Sequence, residues 1–427
     1  YWRQPEDGVN RTRLHHDLAT HRALSADLAR ARTAGRFSLL AEHDVWTVGR
    51  DGEGFAVRAL ERGDVGTAGQ RLVQARRLVL APGAHDRQIP FPGWDLPGVL
   101  TAGGAQALVK AHGVVPGQRV VVAGTGPFLL PVAVALADAG ARVVGVHEAA
   151  SVTGWLPGLP SVARNPAKLL EGGGYAATLA RRRIPVHTRS AVVAAHGDDA
   201  VAAVTVARLD RAGHVVAGSE QRIAVDAVAV GWGFVPRLEL LLALGCATHV
   251  DVDGSLVVRA DERQETTVPG VFAAGEACGV GGSALAVVEG RLAGLAAAGV
   301  QDERTQRLVH RRDRLRAFAV AMHRAHPVPP FWRERLEPST IVCRCEEVTT
   351  ERLRDAVDRS GASDGRSAKL LSRVGMGWCQ GRFCGFAASC LVSEWTGESY
   401  DPSGTAERPL AVPVPLAALA ADDESPR

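Results

Sequence analysis

One stretch restricts the fold more than any other. Residues 117–148, GQRVVVAGTGPFLLPVAVALADAGARVVGVHE, run as apolar strand, glycine turn, apolar helix and second strand, the order of a βαβ unit in a parallel sheet. The charge-free run from Val120 to Ala137 is long enough to be weighed as a membrane span. Its central Gly124-Thr125-Gly126-Pro127 argues instead for a buried strand, a tight turn and a buried helix. Gly124 and Gly126 let the backbone approach a pyrophosphate, and the helix starting near Phe128 offers its N-terminal amides. Glu148, 22 residues after Gly126, ends the second strand where a carboxylate can bind ribose hydroxyls. Leu129 stands where a third small residue usually lets helix and strand pack closely, so a nucleotide site and a structural layer with an empty site both remain open.

Around this unit the chain alternates. Residues 11–34 read as a polar helix, and residues 44–80 hold strand-like runs (DVWTV, FAVRAL, RRLVLAPGA) with the look of an antiparallel meander. Further strands are expected at AVTVARL and AVDAVAVGWG, and a glycine-rich strand-to-helix passage at Val271 to Gly294. From Val300 to Thr340 a charged helix and a proline-containing stretch read as a linker, the basic run Arg304 to Arg316 being a solvated helix face. A chain of 427 residues is too long for one ordinary core, and 46% apolar against 22% charged residues place it among globular proteins. With 49 basic and 46 acidic side chains it carries only +3, no field that argues for nucleic acid or a membrane surface. The sequence opens on Tyr1 without a charged-then-apolar leader and reads as a fragment.

Four thiols then stand close together. VCRCEEVTT, residues 342–350, sets Cys343 and Cys345 one residue apart, and GMGWCQGRFCG, residues 375–385, sets Cys379 and Cys384 five apart. If Cys343 to Cys345 is extended, both sulfurs lie on one side with Arg344 turned away. Thr350 is expected to cap a helix with Leu353, Ala356 and Val357 along one face and Gly361 as its stop. A second helix is expected from about Cys384, its free amides able to donate to sulfur. Four thiolates could ligate a [2Fe–2S] cluster or Zn²⁺, or pair into two disulfides. Disulfides suit small secreted domains, and structural zinc prefers C-x₂₋₄-C knuckles where here the first pair is C-x-C, so spacing ranks cluster over zinc and zinc over disulfides. An all-thiolate cluster gains negative charge on reduction, so Arg344 and Arg382 should ease that step. Cys246, Cys278 and Cys390 stand singly and read as buried structural thiols.

Two further stretches admit a flavin. RRLVLAPGAHDRQIPFPGWDLPGV is a strand ending in Ala81, Pro82 and Gly83; TTVPGVFAAGEACGVGGSALAVVEGRLAG ends a strand at Gly275 and Glu276 and enters a helix after Gly282. Glu276 could accept from sugar or ribityl hydroxyls and the amides after Gly279 could face a phosphate, although ordinary strand-loop-helix joints explain the same residues equally well. Together with the βαβ unit and AVAVGWGFVP, these stretches resemble the FAD and nicotinamide-type domains of two-dinucleotide-fold flavoproteins. With the cysteine module, the chain is similar to the α (A) subunits of opine oxidase and of D-hydroxyproline and related amino-acid dehydrogenases, and to the B subunit of hydrogen cyanide synthase. The C-x-C and C-x₄-C pattern is similar to the [2Fe–2S] domain shared with bacterioferritin-associated ferredoxin. Nearly the whole chain is covered, most specifically at 81–99 and 342–385. Pro82 replaces a usual Thr, Glu276 a usual Asp, and Trp378 a smaller residue or Pro.

The resemblance implies an α/β chain of two Rossmann-like, FAD/NAD(P)-type domains and a small α-rich [2Fe–2S]-binding domain. The first domain is truncated and discontinuous, at 1–100 and 226–299; the second spans 101–225; a helical linker at 300–340, the cluster domain at 341–400 and a tail at 401–427 follow. It implies a cluster on Cys343, Cys345, Cys379 and Cys384, FAD at Ala81, Gly83, Gly275, Glu276 and Gly282, and NAD(P) or another adenine nucleotide at Gly124, Gly126 and Glu148. YWRQP looks like the end of the segment that follows the first flavin fingerprint, so FAD is expected to bind weakly or not at all. The implied function is the electron-transferring flavin and iron–sulfur subunit of a cytoplasmic, hetero-oligomeric amino-acid, opine or D-hydroxyproline dehydrogenase. A partner flavoprotein subunit would oxidise the C–N bond, and an electron acceptor would follow. No His–carboxylate or nucleophile constellation accompanies the motifs, so no catalytic residue is assigned. The rivals are a stand-alone NAD(P)H-dependent flavin reductase, for which Glu148 favours NADH, and a non-enzymatic metal-binding scaffold.

Overall fold

The computed structural model describes residues 18–62, 69–406, 408 and 410–420. A five-stranded parallel sheet lies at its middle, in the order Val99–Thr101, Ala227–Gly231, Arg119–Gly124, Arg142–Glu148 and Val186–Thr188. The expected βαβ unit is its centre. Helix Leu129–Asp138 joins two of the strands and buries Leu129, Val132, Ala133 and Leu136 against Val120 and Val122. Residues 120–124 and 227–231 are all buried, as strands covered on both faces must be.

The boundary expected at residue 226 falls just before a strand of this middle sheet, not at the start of a return segment. Ala227–Gly231 slots between the first strand and the βαβ unit, with Gly231 opposite Gly124. The approach is so close that a Cβ on Gly124, at φ +137°, would sit 1.8 Å from the Gly231 carbonyl oxygen. The AVTVARL strand, Ala203–Arg208, is central in a separate antiparallel sheet with Ser190–His196 and Gln221–Ala224. Val192, Val204 and Val206 of that sheet pack against Val121, Val228 and Val230 of the parallel one.

The meander is His43–Asp51, Gly54–Glu61 and Gln70–Ala75. RRLVLAPGA leaves it: Leu78–Leu80 pairs in parallel with Val271–Ala273 and brings the ends of two distant segments together. Helix Leu18–Thr33 buries none of its residues, while residues 11–17 and YWRQP lie outside the described residues.

The stretch from Val300 to Thr340 is no free connector. Helix Glu303–Ala325 opens with a reciprocal Asp302–Thr305 capping box and packs Val309 with Val288 and Leu292 of helix Ser283–Ala297. Arg304, Arg307, Arg311 and Arg314 are solvated as expected, but Arg312 and Arg316 turn inward. No helix among the described residues is long and apolar enough to cross a membrane.

The cysteine module is a hairpin, Ile341–Cys343 with Val348–Thr349, followed by helices Thr350–Asp358, Gly365–Ser372 and Gly385–Thr396. The first helix is capped by Thr349, one residue earlier than expected, whose hydroxyl accepts from the Arg352 N–H at 3.2 Å. Helix Gly365–Ser372, opened by an Asp364–Ser367 capping box, was not expected. One core runs from Ile89 and Trp232 of the body into Val342, Leu353 and Leu391 of the module. The chain then returns to the meander, where Leu410, Val412 and Val414 cover Trp46 and Leu60.

Candidate functional site

The four clustered thiols come together, though not by the route expected. The strand ends at Cys343, and the next residues turn, with Glu347 at φ +51°, because the hairpin must reverse there to reach Val348. Strand alternation therefore does not set the two sulfurs: Cys343 is buried at the base and Cys345 exposed at the lip. The partner loop wraps closely. The Gly375 N–H donates to the Cys343 sulfur at 3.5 Å, and a Cβ on Gly377 would lie 2.2 Å from that of Cys345. Cys384 is the N-cap of helix Gly385–Thr396.

Cys384 bonds to both Cys343 and Cys379, and Cys379 to Cys345. The Cys384 hydrogen bond draws the Cys343 thiol down to about 6 and that of Cys379 to about 5, and Cys384 itself is pushed well up by the same two partners. Burial raises Cys345. All seven cysteines are free thiols. Among the described residues no three His, Cys, Asp or Glu side chains form a group that could hold a metal ion. The sulfurs instead form a line of contacts, Cys343–Cys384–Cys379–Cys345. Such a donor set suits a two-iron centre, which takes two thiolates at each iron, better than one tetrahedral ion. Of the single thiols, Cys246 and Cys390 are buried as expected and Cys278 is half-buried; burial raises Cys246 and Cys390 and pushes Cys278 up to about 12.

The module is bolted to the body by residues from the 81–99 stretch and beyond. The Trp94 indole N–H donates to the Ile341 carbonyl at 2.6 Å, and Arg344 donates to the Asp95 carbonyl at 2.9 Å. Arg87, fully buried, pairs with Asp253 at 2.9 Å and stacks 4.1 Å over the Phe386 ring of the last module helix. Arg382, inside the loop between Cys379 and Cys384, reaches Glu239 at 2.7 Å, and Arg408 reaches the same carboxylate oxygen at 3.1 Å. Glu239, Asp253 and Arg408 carried no signal in the sequence, because Glu239 meets Arg382 across 143 residues. His85 lies near by and is held down at about 4 by burial and then by Arg237 and Arg382.

The flavin-type residues occupy two strand ends that the Leu78–Leu80 and Val271–Ala273 pairing sets side by side. Ala81 is exposed, and the Gly83 carbonyl accepts from the Arg237 N–H at 3.0 Å. Glu276 does not project a free carboxylate. Its two oxygens accept from the Gly281 and Gly282 N–H groups, each at 3.0 Å, and burial raises its pKa. The Gly275 N–H donates to Glu289 at 2.9 Å, Glu289 is paired with Arg316, and Arg316 donates to the Gly279 carbonyl at 2.8 Å. His323 contacts the Val280 carbonyl at 2.7 Å, so the helix Glu303–Ala325 grips the whole turn.

The second glycine turn is arranged alike. Glu148 accepts from the Gly126 N–H at 2.9 Å, from the Thr125 hydroxyl at 3.1 Å and from the Ala150 N–H at 2.9 Å, with His326 3.4 Å away. Gly124 is paired to Gly231, and Leu129 is buried in the sheet–helix core. A cavity of about 300 Å³ opens beside this turn, walled by Phe128, Phe234, Trp232, Trp332 and His326. The buried indole N–H groups of Trp232 and Trp332 have no hydrogen-bond partner among the described residues.

Comparison with known proteins adds names to these parts. Residues 7–299 match the model of the pyridine nucleotide-disulphide oxidoreductase family, and residues 341–394 that of the BFD-like [2Fe-2S] binding domain. Hydrogen cyanide synthase subunit HcnB of Pseudomonas protegens is 34% identical over 360 residues, covering 82% of this chain and 76% of the relative. The opine oxidase (A) subunit of Rhizobium meliloti is 33% identical over 369 residues, covering 82% and 77%. Among solved structures, L-proline dehydrogenase from P. horikoshii superposes with a TM-score of 0.59 at 20% identity, covering 91% of this chain and 66% of that one, a likeness of fold.

Proposed function

The chain belongs to the pyridine nucleotide-disulphide oxidoreductase family, as an FAD-dependent oxidoreductase with a BFD-like [2Fe-2S] binding domain, and on that premise we propose a specific role for it. It is the electron-transferring flavin and iron–sulfur subunit of a hetero-oligomeric dehydrogenase, whose partner flavoprotein oxidises the C–N bond of an amino acid or opine. The observation that carries this reading is the thiol site: four sulfurs in a continuous line of contacts, on a module whose core is continuous with the flavin-type body. When bound, the flavin supplies two-electron chemistry and the cluster one-electron flow.

Within this reading Cys343, Cys345, Cys379 and Cys384 hold the cluster, and the Gly375 N–H steadies the Cys343 sulfur. Gly275, Glu276 and Gly282, with Ala81 and Gly83, form the wall on the ribityl side of FAD, and Gly124, Gly126 and Glu148 are the candidates for a second nucleotide. Both relatives are named as subunits, of hydrogen cyanide synthase and of opine oxidase, which supports a partner chain carrying the substrate. A cytoplasmic setting, where thiols stay reduced, suits four thiolate ligands.

The test is anaerobic purification with and without a co-expressed flavoprotein partner. Two irons and two sulfides per chain, with a [2Fe–2S] paramagnetic resonance signal after reduction, and oxidation of proline-type amino acids, glycine or opines only in the presence of the partner, are expected. Zinc without iron in a colourless protein, or substrate turnover by the single chain, would overturn the reading. Rapid bleaching of bound flavin by NADH alone would select the stand-alone reductase instead.

A further inference from the structure

The loop between Cys379 and Cys384 is tied to the body through a buried charge triple. Glu239 belongs to the body, opening helix Glu239–Ala243, and its side chain is 5% exposed; those of Arg382 and Arg408 are each 9% exposed. One carboxylate oxygen takes the Arg382 Nε–H at 2.7 Å and the Arg408 Nη1–H at 3.1 Å. Each guanidinium then turns to the loop backbone: Arg382 donates to the Cys379 carbonyl at 3.1 Å, and Arg408 to the Gln380 carbonyl. Arg382 also donates to Ala411. Two cations and one anion, removed from water, leave a net positive charge beside the ligand loop, where the interior screens it less than water would.

We propose that Glu239 is a positioning residue that sets the reduction potential of the cluster through Arg382 and Arg408. The inference rests on the reading of Cys379 and Cys384 as cluster ligands. An all-thiolate cluster becomes more negative by one charge when it takes an electron, so nearby positive charge favours the reduced form. Glu239 offsets part of that charge and fixes where it sits. Removing the carboxylate charge leaves the two guanidinium groups less compensated and shifts the cluster toward reduction; removing one guanidinium shifts it the other way.

The experiment is a potentiometric titration of the full-length, cluster-loaded protein, followed by its paramagnetic resonance signal, for wild type, Glu239→Gln, Glu239→Asp and Arg408→Gln. Glu239→Gln is expected to raise the reduced-to-oxidised ratio at a fixed potential about tenfold, equivalent to about 59 mV for one electron. Arg408→Gln should lower that ratio, and Glu239→Asp should stay near wild type. An unchanged midpoint in Glu239→Gln with full iron and sulfide overturns the proposal. So does a loss of iron with an unchanged midpoint in the clusters that remain, which is what a purely mechanical bolt would give. If Glu239→Gln does not fold, Arg408→Gln decides by the same criterion. Absence of any [2Fe–2S] signal in wild type strikes at the ligand reading itself, and so is distinct from these results.

Discussion

The two glycine turns and the thiol loop solve the problem of a binding site in opposite ways. At the Gly124–Gly126 turn a carboxylate at the end of the neighbouring strand, Glu148, accepts from the turn's amide, and at the Gly275–Gly282 turn Glu276 accepts from the amides of its own loop. These turns are satisfied as they stand, and an anion that sought the same amides would have to displace a carboxylate. The thiol loop has the reverse economy of contacts. Glu239 holds Arg382 and Arg408, Arg408 donates to the Gln380 carbonyl, and across the hairpin Trp94 donates to the Ile341 carbonyl and Asp95 accepts from Arg344, while the four sulfurs of the module are left in a line of contacts with one another. A turn that satisfies itself holds its shape without a cofactor; a loop held from outside keeps its donors together for one.

The largest test of that contrast is removal of a sulfur. Cys379→Ser should abolish the [2Fe–2S] signal, whereas Cys246→Ser, buried in the body, should keep it; full iron and sulfide in Cys379→Ala would break the comparison at its stronger end. Next come the two carboxylates. Glu148→Ala leaves the buried Gly126 and Ala150 amides unpaired and should cost roughly 1–3 kcal/mol of stability, read from urea midpoints, and Glu276→Ala, whose Gly281 and Gly282 amides can reach water, should cost less, about 0.5–1.5 kcal/mol. A variant as stable as wild type would show that its turn was not self-satisfied.

A third test reads the body through pH. His147, one residue before Glu148, is held at about 4 by burial, with His187 close by adding to the effect. Its unfolded value is about 6.5, so between the two values the unfolded chain binds more protons. The contribution to stability is therefore present above that unfolded value and is lost as pH falls toward the folded one. At pH 5 the loss should be roughly 2 kcal/mol relative to pH 7, and His147→Gln should flatten that slope in denaturant melts at the two pH values. The smallest effect belongs to the module: Thr349→Ala removes a helix cap and should cost about 1 kcal/mol, with iron content unchanged.

What was legible in the sequence was local. The βαβ unit declared itself through apolar runs around Gly124 and Gly126, and the strand-to-helix passage at Val271 through its glycines, because in both the turn chemistry and the hydrophobic period agree. The cysteine spacing singled out four thiols that the fold does bring together, but gave the wrong local shape. Cys343 and Cys345 are split by a turn that only the pairing with Val348–Thr349 explains. Ala227–Gly231 reads as a strand anywhere; its place beside Gly124 is fixed by a close approach across the sheet. The reach of Glu276 back to Gly281 and Gly282 depends on side-chain length and loop path together, and the Glu239–Arg382 pair spans too much chain for any window to join it.

The strand of chain at Leu410 to Val414 carries a consequence for biosynthesis. It crosses from the thiol loop to the meander: the Ala411 N–H donates to the Trp46 carbonyl at 2.9 Å, and the Ala411 carbonyl accepts from Arg382. These residues leave the ribosome after all four clustered cysteines, and Arg408 emerges with them. Until then Arg382 lacks its Ala411 acceptor and Gln380 its Arg408 donor. The thiol loop is thus at its loosest in the interval just after Cys384 has been made, and it gains these outside contacts only when the following two dozen or so residues have emerged and docked.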